Sequence, residues 1–115
     1  NYFNGIESIE RRENVKKIHS IICCCGQGLG SSMIMEMNAR KILSSMGYAN
    51  ISVSHLSLSD VSSEKADLMI CGLDVAYQLR DYPRVIVLRN IIMLDELSEK
   101  LQAALSTEKN RFFIE

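Results

Sequence analysis

The sequence predicts an α/β domain built on a parallel sheet. Three observations carry that expectation: four short runs rich in Val, Ile, Leu or Cys, helix-patterned segments alternating with them, and a glycine-rich turn directly after the first run. Ile18 to Cys25 reads as a buried strand, and Ser32 to Met46 as a helix. Met35, Ala39, Ile42, Leu43 and Met46 fall on one face of that helix, and Gly47 stops it. Ile51 to Leu56 alternates apolar and polar side chains, the pattern of an edge strand, whereas Asp67 to Cys71 and Arg84 to Leu88 look central. The link from Leu56 to Asp67 is short for a parallel crossover and is expected to hold a short helix. Asp74 to Arg80 fits another short helix before Pro83, and Leu94, Leu97, Leu101 and Leu105 mark one face of a closing helix over 93–106.

Composition narrows the function. The chain has 115 residues, 47% hydrophobic and 23% charged, which suits one domain and is too short for two. A net charge of -1 leaves no basic excess for polyanions, so no nucleic-acid partner is expected. Every strongly apolar run falls far short of the roughly 20 residues of a membrane helix, so no direct membrane insertion is expected. No secretory signal opens the chain, and the four Cys, three of them adjacent, make a poor disulfide framework, which points to the cytoplasm. Residues 1–17 read as a tail or linker, 18–106 as the domain, and 107–115 as a C-terminal tail in which Phe112, Phe113 and Ile114 would prefer a surface to pack on.

The chemistry concentrates in Cys25, Gly26, Gln27, Gly28, Leu29, Gly30, Ser31 and Ser32, between the first strand and the first helix. Glycine at every second position lets consecutive N–H groups turn inward as a nest for a dianion. Ser31 or Ser32 can cap the helix, whose positive end points at the same spot. The carboxyl end of a central strand is also where open α/β sheets place ligands. A thiol there should ionise more readily than a free one, which makes Cys25 a candidate nucleophile toward phosphorus, with Gly26 to Ser32 cradling the phosphate. Against this stands the ordinary burial of free Cys, which is the preferred reading of Cys23 and Cys24. Pleating puts Cys24 on the opposite face from Cys23 and Cys25, so no shared metal is expected, and no cofactor either. Cys71 ends the third strand and would lie near Cys25 if the two strands are neighbours. His19 and His55 are read as structural or surface residues, Met33, Met35 and Met37 as core, and Arg40, Lys41 and Arg89 as a solvated face.

The segment CGQGLGSSMIMEM, Cys25 to Met37, resembles the phosphorylation-site loop of enzyme IIB components of the bacterial phosphoenolpyruvate-dependent sugar phosphotransferase system (PTS). The ascorbate type, related to the lactose and galactitol types, is the branch it is most similar to. The likeness runs from Lys17 to Leu105 and includes ADLMICGLDVAYQL and VIVLRNIIMLDEL. It implies an open four-stranded parallel sheet flanked by helices, with a P-loop-like Cys loop after the first strand as in low-molecular-weight tyrosine phosphatases. It further implies that Cys25 accepts a phosphoryl group from a phosphohistidine of enzyme IIA. The group then passes to a sugar, ascorbate-like or related, held by membrane enzyme IIC, with which a cytoplasmic IIB would associate at the inner face of the membrane.

Two alternatives belong to other classes. A tyrosine phosphatase of the low-molecular-weight type has Arg six residues after its nucleophile; here that place is Ser31, and no acidic residue is identifiable as a leaving-group acid, so transfer fits better than hydrolysis. An IIB-like domain within a PTS-controlled transcription regulator would use the same cysteine as a signal. Gly26, Gly28 and Gly30 make G-x-G-x-G rather than the dinucleotide fingerprint G-x-G-x-x-G.

Overall fold

The structure, a computed structural model, describes residues 17–26, 30–61 and 66–115. The tail expected over residues 1–17 lies, but for Lys17, outside the described residues.

Strands β1 (Ser20–Cys25), β2 (Ser52–Ser57), β3 (Leu68–Gly72), β4 (Arg84–Leu88) and β5 (Phe112–Ile114) form one sheet in the order β2-β1-β3-β4-β5. All neighbouring pairs are parallel. The parallel α/β class stands as the sequence predicts, but the sheet has five strands rather than four. The added strand comes from residues 107–115, expected as a tail: Arg84 aligns with Phe112 and Ile86 with Ile114, and the Phe112 N–H donates to the Pro83 carbonyl at 2.8 Å. Three residues carry too little pattern to be read as a strand alone, and the open edge of β4 supplies the rest.

Pleating divides the core in two. On one face Ile21, Cys23, Cys25, Ile70 and Ile86 pack with Met35, Ala39 and Leu43 of helix α1 (Gly30–Ser45) and with Leu97 and Leu101 of helix α2 (Leu94–Ser106). On the other face Ile22, Cys24, Met69, Cys71, Val85 and Val87 pack with Val75 and Leu79. Those two residues belong to consecutive 3-10 turns, Leu73–Val75 and Tyr77–Leu79, where the sequence suggested one short helix. The helix expected between Leu56 and Asp67 is a single 3-10 turn, Leu58–Asp60, with residues 62–65 outside the described residues.

The helix α1 obeys its sequence pattern: Met35, Ala39, Ile42 and Leu43 are buried, and Gly47 ends it with φ +87°. There the Tyr48 N–H donates to the Leu43 carbonyl at 2.8 Å and the Gly47 N–H to that of Ser44 at 3.2 Å, satisfying carbonyls that the helix end would otherwise leave open. This turn returns the chain to β2, beside β1, so β1 is flanked on both sides and its last five residues are buried. The carboxyl end of β1 therefore sits inside the sheet, close to the start of α1.

Candidate active site

Cys25 closes β1 with 5% of its surface exposed, aligned with Ser57 of β2. Its side chain falls on the face covered by the two helices. Because α1 starts at Gly30, the positive end of that helix stands at the carboxyl end of the sheet, where a negative group on sulfur would be favoured. Of the expected phosphate loop, Gly26, Gly30, Ser31 and Ser32 are described, whereas Gln27, Gly28 and Leu29 lie outside the described residues. Ser31 and Ser32 lie within the first turn of α1 rather than ahead of it as a cap, because the helix begins earlier than the apolar pattern suggested. Ser32 is fully buried.

A carboxylate that sequence reasoning missed stands at the same place. The Gly26 N–H donates to Asp74 Oδ2 at 3.2 Å, across 48 residues of chain. Parallel pairing of β1 with β3 causes this meeting, since Gly26 follows one strand and Asp74 lies just beyond the other. The packing is close enough to require glycine: a Cβ on Gly26 would lie 2.9 Å from Val75 Cγ1 and 3.3 Å from Asp74 Oδ2, and one on Gly72 would lie 2.9 Å from Asp74 Oδ1. The sequence was searched only for a leaving-group acid; Asp74 stands here instead as an acceptor for a backbone N–H. Its only sequence signal was its position two residues past the glycine that ends an apolar run.

The other three thiols are packing groups. Cys23, Cys24 and Cys71 are buried at 0% exposure and free. Cys71 aligns with Cys24, not Cys25, and the two share the face opposite the helices. Burial, helped by neighbouring Cys25 and Asp74, pushes the Cys24 thiol up to about 12. Burial, with Cys24 and Asp74 beside it, does the same to Cys71, up to about 12. Burial also pushes Cys23 up, with Glu36 adding to it.

The third turn at this end follows β4. Glu96 accepts the backbone N–H groups of Arg89 at 2.7 Å and Asn90 at 2.9 Å, and the Lys100 ammonium at 2.7 Å. Lys100 also donates to the Val87 carbonyl at 2.7 Å. Partial burial pushes the Glu96 carboxyl up, but the Arg89 N–H, Lys100 and the Asn90 N–H outweigh it and hold it down at about 2. This clamp fixes the turn whose Ile91 lies beside Gly72. Around the same end Met33, Met37, Leu73, Tyr77, Ile92 and Met93 are exposed. Of the three helix methionines read as core, only Met35 is buried, because the sheet covers one face of α1 and the other two point away from it.

His55 and Arg40 have structural partners, His55 Nδ1 lying 2.7 Å and Arg40 Nε 3.0 Å from the Glu36 carboxylate, which ties β2 to α1. Burial raises the Glu36 carboxyl, and the bonds from His55 and Arg40 outweigh it and hold it below the usual carboxylate range. A cavity of about 570 Å³ lies at the opposite ends of the strands, lined by His19, Tyr48, Arg84, Thr107 and Phe112 among others. It is remote from Cys25, and none of its lining residues is a cysteine. Among the described residues no group of three His, Cys, Asp or Glu side chains could hold a metal ion. No helix among them is long and apolar enough to cross a membrane.

A parallel α/β domain with a thiol at the carboxyl end of an inner strand and a glycine-led turn into a helix places the molecule among proteins that bind or transfer groups at that edge. The family described as PTS system, lactose/cellobiose specific IIB subunit, matches residues 20–103, and the chain belongs to it. The chain is also similar to the ascorbate-specific PTS system EIIB component of Mycoplasma pneumoniae, 25% identical over 92 residues, which span 79% of this chain and 94% of that protein. PTS IIB components are phosphotransferases that work with IIA and IIC components in sugar uptake.

Proposed function

We propose that the chain carries a phosphoryl group on Cys25, taken from a phosphohistidine of enzyme IIA and passed to a sugar held by membrane enzyme IIC. The single observation behind this reading is the position of Cys25: the last residue of an inner strand, next to a glycine amide and at the positive end of α1. In the first step the Cys25 sulfur attacks phosphorus, the S–P bond forms, and the N–P bond of the phosphohistidine breaks, with the thiol proton ending on the freed imidazole. Backbone N–H groups from Gly26 to Ser32, together with the helix end, hold the three phosphoryl oxygens and spread their charge. In the second step a sugar hydroxyl oxygen attacks phosphorus, the O–P bond forms as the S–P bond breaks, and the hydroxyl proton returns to sulfur. The likeness to the Mycoplasma pneumoniae component supports an ascorbate-like sugar, and the need to meet enzyme IIA supports a cytoplasmic site.

The test is a mass measurement. After incubation with phosphoenolpyruvate and the upstream carriers, the peptide containing Cys25 should gain about 80 Da, one phosphoryl group, in acid-labile form. Cys25→Ser should abolish the gain. Because Cys25 is nearly buried in apolar surroundings, circular dichroism of the variant accompanies the assay, and Cys71→Ser serves as a thiol control. Phosphoryl incorporation that survives Cys25→Ser refutes the assignment.

A further inference from the structure

The amide next to the candidate nucleophile is already occupied by an anion. The Gly26 N–H, a donor that a phosphoryl group on Cys25 would use, donates to Asp74 Oδ2 at 3.2 Å. Asp74 is exposed, so burial does not hold it there, and it lies on the 3-10 turn that follows β3. The surroundings are shaped around it: its two carboxylate oxygens and Val75 Cγ1 take the space that side chains on Gly26 and Gly72 would fill. A carboxylate is an odd neighbour for a site that must receive a dianion. It competes for the same N–H and repels the incoming charge.

We propose that Asp74 is a positioning residue: it holds the Gly26 amide while Cys25 is unphosphorylated, gives it up to the phosphoryl group, and by like charge keeps that group poised to leave. The inference rests on the carrier assignment of Cys25. Asp74 forms and breaks no covalent bond to phosphorus in either step. Its charge raises the free energy of phosphocysteine relative to both the phosphohistidine before it and the sugar phosphate after it. A carrier needs this balance, since a phosphocysteine bound too tightly in its nest would be a product rather than an intermediate.

Equilibrium measurements on the whole chain separate charge from shape. Wild type, Asp74→Asn and Asp74→Glu are each mixed with phosphorylated enzyme IIA at fixed ratio, and the phosphorylated fraction of Cys25 is read by intact mass. Asn keeps an oxygen acceptor for the Gly26 N–H and removes the charge, with an NH2 donor in place of the second oxygen; the salt dependence separates the charge from that donor. The equilibrium constant for phosphorylating Cys25 should rise roughly three- to tenfold in Asp74→Asn at low salt, stay near wild type in Asp74→Glu, and converge among all three as salt increases. An equal or lower constant for Asp74→Asn at low salt overturns the inference while leaving the carrier reading intact. A wild-type chain that takes no phosphoryl group on Cys25 overturns both.

Discussion

Glu96 closes the turn after β4 with one carboxylate shared among two backbone N–H groups and an ammonium, and its loss should be readable in both size and pH dependence. In Glu96→Ala the Arg89 and Asn90 amides lose their acceptor and Lys100 keeps only the Val87 carbonyl. The folded carboxyl titrates at about 2. Against an unfolded value of about 4.3, linkage sets an upper bound of ~3 kcal/mol for what the charged form contributes. The side chain is 17% exposed, so water screens part of it, and a loss of about 2 kcal/mol at pH 7 is expected. Since the folded state holds this proton less tightly than the unfolded one, the contribution is complete above about pH 5 and drains away as pH falls toward 2. Urea unfolding of wild type and variant from pH 7 to pH 2.5 measures it. The gap between the two midpoints should narrow steadily below pH 5. A gap of constant size across that range, or one under about 0.5 kcal/mol at pH 7, would refute the reasoning.

Two further expectations follow from packing. Gly26→Ala pushes a Cβ to 2.9 Å from Val75 Cγ1, so the turn beside Cys25 must shift. A destabilisation of about 1–2 kcal/mol in thermal unfolding, with weaker phosphoryl transfer, is the expected result, and an unchanged melting temperature would contradict the contact. Cys24 and Cys71, buried and pushed up to about 12, should resist iodoacetamide at pH 8 in the folded protein and react only on unfolding, as mapped by peptide mass. Labelling of either at the rate of a free thiol would show that their layer of the core is open.

The architecture was legible where one segment carries its own periodicity. The apolar runs of β1, β3 and β4 and the spaced leucines of α2 define their elements within a residue or two. Residues that owe their place to distant partners were not legible. Phe112 to Ile114 become a strand only because β4 has an unpaired edge. The strands carrying Cys25 and Cys71 are neighbours, the condition for the two thiols to lie near each other, but the register aligns Cys71 with Cys24, and one residue of offset in a pleated sheet moves a side chain to the other face. Asp74 reaches Gly26 only through the β1–β3 pairing, which no local pattern announces. The turns at Leu73–Val75 and Tyr77–Leu79 share a helical spacing that suggests one helix, yet the run is too short to settle into full α turns. At the site itself, Cys25 and the glycines stood out because strand, turn and helix follow one another directly in the chain.

Three adjacent cysteines in β1 and a fourth in β3 place four reduced sulfurs in and around the middle of the sheet. Folding shuts Cys23, Cys24 and Cys71 away from dissolved oxygen and from thiols of other molecules, and leaves Cys25 at the strand end. Any excursion that opens the sheet releases all of them together, and cross-linking between chains then makes the excursion one-way. Durability in air is thus set by how rarely β1 parts from its neighbours, and thermal unfolding should reverse only while a reductant is present.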